Sequence, residues 1–309
     1  MANPKYSCFE GEIIPFDDAK LSIVTPAVKY AAHVFEGLRG YWNADQGEMY
    51  IFRMADHLER LRESMKIMRF DAEYSDGYLS DCLFRLIQAN ELREDVHIRL
   101  SAFIDGDGEM NAPGPVVLAI TALPKGRMVK ETGGLNCCVS SWTRISDQAS
   151  PPRVKCAANY FNGRLAYMQA NADGYDSAII LNAGGKVAEA PGACVYIIRA
   201  GVPVTPAVTE GILESITRAT VAQLFAEYFD LVTEEREIDR TELYVAQEMF
   251  LCGTGYQVLP IISVDRLNVG DGEIGPLTTA MNEKYTAIAR GDIPDHGEWR
   301  TPVYTAQAG

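Results

Sequence analysis

The chain is organised around one stretch, Pro151-Pro152-Arg153-Val154-Lys155-Cys156-Ala157-Ala158-Asn159-Tyr160-Phe161-Asn162-Gly163-Arg164. Lys155 is one of only nine lysines in the sequence, and no carboxylate lies within four residues of it. A lysine that is withdrawn from water loses its proton more easily and can then attack a carbonyl carbon. The two prolines predict an extended approach to it. The stretch therefore indicates a reactive amine, with an ordinary surface lysine as the alternative.

Size and charge exclude several classes of protein. The chain has 309 residues, enough for two domains, and 47% of them are hydrophobic. Its net charge of −14 argues against binding to nucleic acids or to anionic membranes, because phosphates would be repelled. No apolar run approaches the ~20 residues of a membrane span, and the N-terminus lacks a signal-peptide pattern. Seven scattered cysteines fit a reducing compartment, so we expect a cytoplasmic protein.

Common catalytic motifs are missing from the sequence. The four histidines are far apart, and no Cys or His pair has zinc-ligand spacing, so we expect no metal site. There is no phosphate-binding loop of the Gly-x-x-x-x-Gly-Lys-Ser/Thr type and no complete dinucleotide-binding glycine motif. Metal-dependent hydrolysis, ATP hydrolysis and hydride transfer therefore lose support.

Periodicity predicts two domains. In residues 1–124, helices are expected at 55–69 and 78–92, among strands at 34–41, 49–52, 97–104 and 116–122. This pattern is typical of a small α/β domain. Residues 125–134 are rich in glycine and are predicted to form an interdomain loop. Residues 135–309, which include Lys155, alternate short strands with hairpin turns, and helices are expected at 162–172, 214–229 and 277–290. A barrel-like sheet is the predicted architecture of this second domain.

Two further residues in this strand-rich half could take part in chemistry. Glu189 ends a predicted strand among Ala188, Ala190 and Pro191, where an unpaired carboxylate would be costly. Its partner could be a protonated ring nitrogen of a ligand or a nearby arginine. Tyr160 could donate a hydrogen bond to a phenolate oxygen, or it could be a core aromatic with an exposed hydroxyl.

Four other elements could bind phosphate or carboxylate groups. Residues 209–218 form a glycine-containing loop that runs into a helix, which can bind phosphate or can simply be a capped helix. The turn Gly253-Thr254-Gly255 offers N–H groups and a hydroxyl to an anion. Arg60 could reach a phosphate, or it could pair with Glu59 or Glu63 on its own helix. Arg99 lies on an apolar strand, where an arginine rarely occurs without a bidentate partner.

These groups together match one ligand. A lysine amine, a carboxylate, a tyrosine, an arginine and a phosphate cradle are what pyridoxal 5'-phosphate requires. No single motif is strong by itself, but the set is, and it predicts that cofactor.

The sequence resembles the class IV pyridoxal-phosphate aminotransferases of fold type IV, and among them the branched-chain amino-acid aminotransferases. The resemblance covers nearly the whole chain. It rests on Val34-Phe35-Glu36-Gly37-Leu38-Arg39, His57-Leu58-Glu59-Arg60-Leu61, Lys155 with Asn159-Tyr160, Glu189, Ile216-Thr217-Arg218 and Gly253-Thr254.

The resemblance implies a role for each matched residue. Lys155 would be the catalytic Schiff-base lysine. The cofactor-binding residues would be Arg60, Lys155, Tyr160, Glu189, Ile216, Thr217 and Thr254, with Glu189 at the pyridine nitrogen. The substrate-binding residues would be Tyr30, Phe35, Gly37, Arg99, Gly255 and Tyr256. Among these, Tyr30 and the turn at Gly255 would hold the α-carboxylate, and Arg99 the side-chain carboxylate of glutamate.

The resemblance also implies a fold and a reaction. The fold is a small N-terminal α/β domain and a larger C-terminal pseudo-barrel, with the cofactor in the crevice between them and a homodimer or higher homo-oligomer completing the pocket. The reaction is a ping-pong transfer of an amino group from a small-molecule amino donor to a keto-acid acceptor, usually 2-oxoglutarate.

Several positions depart from the family pattern and leave the substrate open. His97 and Met128 occupy positions where the bacterial enzymes tend to carry pocket tyrosines, and Tyr256 replaces a small residue. The expected donor is a branched-chain or other hydrophobic L-amino acid. The alternatives are an (R)-selective amine transaminase, a D-amino-acid transaminase or an aminodeoxychorismate-type lyase on the same scaffold. A non-catalytic cofactor-binding or partner-binding protein is a third reading, which the set of Lys155, Tyr160 and Glu189 argues against.

Overall fold

The computed structural model describes residues 4–126 and 133–305. The chain forms two compact units: residues 1–126, 154–158 and 287–309 make up the first, and residues 127–153 and 159–286 the second. Most of the predicted loop at 125–134, with Met128, lies outside the described residues, so that boundary stays a prediction. The first unit differs from the predicted domain 1–124 because it also takes in the segment around Lys155 and the C-terminal residues.

The first unit is built on a seven-stranded antiparallel sheet. Its strands are β1 (Tyr6–Phe9), β2 (Glu12–Pro15), β3 (His33–Asn43), β4 (Glu48–Phe52), β5 (Val96–Ile104), β6 (Val116–Pro124) and β16 (Arg300–Pro302). They lie in the order β16-β4-β3-β5-β6-β1-β2. β16 pairs with β4, which explains why the end of the chain belongs to this unit.

Three helices accompany this sheet: α1 (Pro26–Tyr30), α2 (Met54–Ile67) and α3 (Asp76–Ala89). Ser75 caps α3, since its side chain accepts a hydrogen bond from the backbone N–H of Tyr78. Leu58 and Leu61 of α2 and Leu83 of α3 belong to the same buried cluster as the sheet residues. Their helical spacing is the pattern from which both helices were predicted.

The second unit contains a sheet that closes on itself. Its strands are β7 (Leu135–Thr143), β8 (Ser177–Leu181), β9 (Val187–Ala190), β10 (Ala193–Arg199), β11 (Val202–Thr205), β12 (Glu234–Glu235), β13 (Glu248–Gly253), β14 (Gln257–Val264) and β15 (Leu267–Asn268). The pairing runs β10-β13-β14-β7-β8-β9, and β9 pairs again with β10. This ring confirms the predicted barrel-like sheet.

The remaining helices are α4 (Ala157–Ala172), α5 (Ile216–Phe229) and α6 (Pro276–Arg290). Short 3-10 helices occupy Phe16–Asp18, Val208–Glu210, Arg240–Val245 and Gly297–Trp299. α4 begins directly after Cys156, earlier than the predicted start near Asn162, because Ala157 and Ala158 extend it toward the lysine segment.

Residues 4–126 and 133–305 show three features that bear on membranes, metals and thiols. No helix in these residues is long and apolar enough to cross a membrane. The same residues contain no cluster of His, Cys, Asp and Glu that could hold a metal ion. The seven cysteines are free and buried.

Candidate active site

The backbone around Lys155 is fixed to strand β3 and helix α2. The carbonyl oxygen of Lys155 accepts a hydrogen bond of 2.9 Å from the N–H of Phe35, and its own N–H donates to Ser64 Oγ at 3.2 Å. Val154 and Cys156 on either side are buried. Lys155 Nζ lies 5.2 Å from the centre of the Phe35 ring. The first unit therefore holds the predicted catalytic lysine beside the predicted substrate-binding phenylalanine.

Cationic side chains surround this phenylalanine. Strand pairing places Gly37 opposite Arg99 and Arg39 opposite His97, so these residues share a sheet face with Phe35. The Arg99 guanidinium lies 3.6 Å from the centre of the Phe35 ring. A Cβ atom at Gly37 would lie only 3.0 Å from His97 Nε2, so glycine leaves room for that ring. Two guanidinium nitrogens of the fully buried Arg39 have no hydrogen-bond partner in the described part of the chain.

This face favours anions. Burial, followed by the neighbouring cations Lys125, Arg39 and Arg99, lowers the pKa of His97 to about 3. The imidazole is therefore neutral at physiological pH, and the positive charge is carried by the arginines and lysines. A carboxylate entering here would find guanidinium donors next to an aromatic ring.

Glu36 projects from the opposite face of β3 and anchors Arg60. Arg60 donates two hydrogen bonds to the Glu36 carboxylate, of 2.8 and 2.7 Å, and His57 Nδ1 lies 2.7 Å from it. This bidentate partner lies on a strand, whereas the sequence had suggested Glu59 or Glu63 of the same helix. Burial alone would raise the pKa of Glu36, but Arg60 and His57 lower it to about 2. The phosphate role of Arg60 stays a prediction.

In the second unit, Glu189 is paired with Arg144. Arg144 Nη2 lies 2.6 Å from Glu189 Oε1, and the two side chains are 6% and 8% exposed. The second carboxylate oxygen accepts a 3.2 Å hydrogen bond from the backbone N–H of Leu213. The sequence had left open a nearby arginine as partner, but it had not identified Arg144. Arg144 follows the polar end of β7 and lies 45 positions from Glu189, so no local signal in the sequence would have found it.

The two segments that were predicted to bind phosphate, the loop before α5 and the Gly253-Thr254-Gly255 turn, lie next to each other. Thr217 Oγ1 at the start of α5 and Thr254 Oγ1 in the β13–β14 turn lie 3.4 Å apart. Ser215 caps α5 by accepting a 3.2 Å hydrogen bond from the N–H of Arg218, so the helix is capped as the alternative interpretation expected. Ile216 is the first residue of that helix. Two hydroxyls and a helix N-terminus thus face one another in the second unit.

The predicted tyrosines lie in different environments. Tyr256 follows Gly255 in the turn after β13, and a Cβ atom added to Gly192 would lie 3.6 Å from its ring. Burial, and then its neighbours Tyr167 and Tyr160, raise the pKa of Tyr256 to about 12. Tyr160, on α4, is 37% exposed. In the first unit, Tyr30 ends helix α1 and is 37% exposed.

Comparisons with known proteins identify the family of the chain. The family model for amino-transferase class IV matches residues 33–264. A probable branched-chain-amino-acid aminotransferase of Aquifex aeolicus is 38% identical over 97% of both chains. A branched-chain amino acid aminotransferase from Thermobaculum terrenum, solved in its PLP form, is 41% identical with a TM-score of 0.92, and the match covers 98% of this chain and 99% of that one.

A second solved structure was determined with an amino acid. It is the branched-chain aminotransferase from the archaeon Thermoproteus uzoniensis with norvaline, 37% identical with a TM-score of 0.92 over 97% of this chain and 100% of that one. The match to the family model and the similarity to these relatives lead to one conclusion. The chain belongs to the class IV aminotransferases, the pyridoxal-phosphate-dependent transaminases of fold type IV.

Proposed function

We propose that this transaminase moves an amino group between a branched-chain or other hydrophobic L-amino acid and 2-oxoglutarate by a ping-pong mechanism. One observation carries the proposal: the amine of Lys155, the ring of Phe35 and the guanidinium of Arg99 lie together in the first unit. An aromatic ring suits an apolar side chain, and a guanidinium suits the second carboxylate of a dicarboxylic keto acid. The names of the relatives support a branched-chain substrate.

The residues present fit pyridoxal phosphate by their chemistry. Lys155 supplies the amine, and Glu189 is a buried carboxylate that can accept a hydrogen bond from a ring nitrogen. The hydroxyl pair of Thr217 and Thr254 suits a phosphate. We assign Ile216 and Arg60 to the phosphate as well, and Tyr160 to the phenolic oxygen. When bound, the cofactor supplies an electron sink for bonds broken at the substrate α-carbon.

The protein's own groups then bind and move protons. The Lys155 amine would be the general base that takes the proton from the substrate α-carbon and delivers it to the C4′ carbon of the cofactor. Tyr30 and the turn at Gly255 hold the α-carboxylate. Gly37 contributes backbone to the side-chain pocket and leaves room there for the His97 ring, and Tyr256 borders the turn at Gly255. Arg99 binds the distal carboxylate of 2-oxoglutarate.

A second candidate is an (R)-selective amine transaminase or a D-amino-acid transaminase. Tyr256 and His97 favour it, because both are bulky side chains near elements assigned to substrate. Tyr256 is partly buried beside Gly192, and His97 lies against Gly37. Such side chains would alter which substituent fits the pocket.

We also propose a homo-oligomer, at least a dimer, that works in the cytoplasm on small molecules. The net charge of −14 opposes binding to nucleic acids or to anionic membranes, and the seven free thiols fit a reducing compartment.

A visible absorption spectrum of the purified protein tests the function. We expect a yellow protein whose visible band bleaches when L-leucine is added and returns with 2-oxoglutarate. A yellow protein that ignores L-leucine but bleaches with D-alanine or (R)-1-phenylethylamine would favour the second candidate. Protein that stays colourless after addition of pyridoxal phosphate would overturn both and leave a non-catalytic binding role.

A further inference from the structure

Arg144 is a buried cation whose three nitrogens are all engaged. It follows the last residue of β7, and its Nη2 contacts Glu189 Oε1 at 2.6 Å. Its Nε donates a 3.0 Å hydrogen bond to the carbonyl oxygen of Gly211, and Nη1 lies 3.4 Å from Asn162 Oδ1. The guanidinium is therefore held in one orientation by two neutral acceptors and one carboxylate.

Glu189 in turn depends on Arg144. The carboxylate is buried on strand β9, and its other oxygen accepts from the N–H of Leu213 and lies 3.9 Å from Cys194 Sγ. A buried carboxylate without a countercharge takes up a proton, because burial penalises the charged form. With Arg144 in place, charge and orientation are both set before any ligand arrives.

The same contacts reach the loop in front of α5. Arg144 contacts Gly211 and Glu189 contacts Leu213, a few residues before the phosphate-binding candidate Thr217. Gly211 has a φ angle of +83°, and a Cβ atom there would lie 3.0 Å from the carbonyl oxygen of Ile145. Glycine is therefore needed for the loop to approach the Arg144 segment this closely.

We propose that Arg144 is a positioning residue that keeps Glu189 ionised and correctly oriented for the cofactor ring nitrogen. The inference rests on the proposed role of Glu189 at that nitrogen. Arg144 acts through the Glu189 carboxylate, not by contact with the cofactor. Its removal should therefore weaken recognition of the nitrogen and leave recognition of the phosphate largely intact.

A cavity beside Arg144 makes chemical rescue possible. The cavity has a volume of about 370 Å³ and is lined by residues that include Arg144, Ser146, Asn182 and Gly211. If Arg144 is cut back to alanine, free guanidinium can enter from this cavity and replace the lost group. The rescue tests the guanidinium itself and not the fold as a whole.

The experiment measures the affinity of the apo-protein for pyridoxal phosphate by quenching of tryptophan fluorescence. A second titration uses an analogue in which carbon replaces the ring nitrogen. We expect Arg144→Gln to raise the Kd for pyridoxal phosphate about tenfold, as loss of a supporting partner does at ligand sites, and to leave the Kd for the analogue unchanged. Arg236→Gln is the matched control, because Arg236 pairs with Glu242 at 2.8 Å elsewhere in the same unit.

Two further variants separate positioning from a structural role. In the Glu189→Gln background, Arg144→Gln should have no added effect, since Arg144 acts through that carboxylate. Millimolar guanidinium chloride should restore the affinity of Arg144→Ala, but not that of Arg144→Ala combined with Glu189→Gln. If Arg144→Gln does not fold, Arg144→Lys is compared with the two ligands in the same way.

Equal losses for both ligands, or an unchanged Kd for pyridoxal phosphate, would overturn the positioning role while leaving the proposed function standing. Wild-type protein that fails to bind pyridoxal phosphate would overturn the proposed function, and this inference with it.

Discussion

The Arg60 guanidinium and the Glu36 carboxylate form a bidentate pair that is buried under strand β3, with N–O distances of 2.8 and 2.7 Å. The pair joins helix α2 to the strand that carries Phe35 and Gly37. We expect Glu36→Gln to reduce the free energy of unfolding by about 3–5 kcal/mol, because it leaves the Arg60 charge buried without its partner. Urea denaturation of the apo-protein measures this change.

Glu59→Gln is the control for this pair, since Glu59 lies exposed on the same helix as Arg60. It should alter the free energy of unfolding by no more than about 0.5 kcal/mol. Equal effects of the two substitutions would contradict a special role for Glu36.

Three histidines with lowered pKa values make the stability of the protein depend on pH. Burial, aided by Arg99, lowers the pKa of His33 to about 4. Burial and nearby cations lower the pKa of His97 to about 3. Burial also lowers the pKa of His57, against the opposing effect of Glu36. Below pH 6.5, the ordinary pKa of histidine, these side chains are protonated in the unfolded chain but stay neutral in the folded protein. The stabilisation that these neutral histidines contribute is therefore fully present above pH 6.5, and it is lost as the pH falls toward their lowered pKa values.

Each such histidine contributes a slope of about 1.4 kcal/mol per pH unit. Urea unfolding at pH 7, 6 and 5 should show this loss, and His97→Gln should make the slope shallower by one histidine's contribution. A free energy of unfolding that stays constant from pH 7 to 5 would show that these rings are protonated in the folded protein.

Lys155→Ala should abolish turnover and covalent attachment of the cofactor while the fold remains. Hydrogen bonds of the Lys155 backbone hold this segment, and an alanine at this position keeps them. Mass spectrometry after borohydride reduction measures the attachment, and circular dichroism checks the fold. Lys66→Ala, on the exposed side of α2, is the matched lysine control and should retain both attachment and activity. Repeated turnover by Lys155→Ala would disprove the assigned role.

The helices and strands that depend on local hydrophobic periodicity could be predicted from the sequence. Helix α2 and helix α5 were expected from their spacing of apolar residues, and the barrel-like sheet from its hairpins. Thr217 and Thr254 are distant in sequence but their hydroxyls lie 3.4 Å apart in the fold. The family resemblance had assigned both residues to the cofactor.

The charge partners were beyond local reasoning. The sequence offered Arg60 partners within its own helix, whereas Glu36 lies on another element. Arg144 and Glu189 are 45 positions apart in the sequence, and the residues around either one do not predict that the two form a pair. Pairs of this kind follow from strand register and depth of burial, which only the folded chain defines.

Arg99→Met should weaken the use of 2-oxoglutarate selectively. Losing a charge-assisted hydrogen bond costs about 2 kcal/mol, so KM for 2-oxoglutarate should rise about thirtyfold, with the L-leucine half-reaction unchanged. Arg93→Met is the matched control, because Arg93 also lies against an aromatic ring, 5.2 Å from that of Tyr304. Equal increases in KM for both substrates would show that Arg99 supports the fold of the pocket instead of the distal carboxylate.

Tyr256→Ala should change the range of side chains that the enzyme accepts. The Tyr256 ring is partly buried beside Gly192, so truncation leaves a space next to the turn that carries Gly255. The ratio of kcat/KM for L-phenylalanine to that for L-leucine should rise about tenfold, since a larger pocket admits the larger ring. The same substitution should lower the free energy of unfolding by about 3 kcal/mol. Tyr256→Phe keeps the ring and should keep the ratio. An unchanged ratio in Tyr256→Ala, measured on folded protein, would place Tyr256 outside the substrate pocket, and the substrate range would then have to be set by the face that carries Phe35.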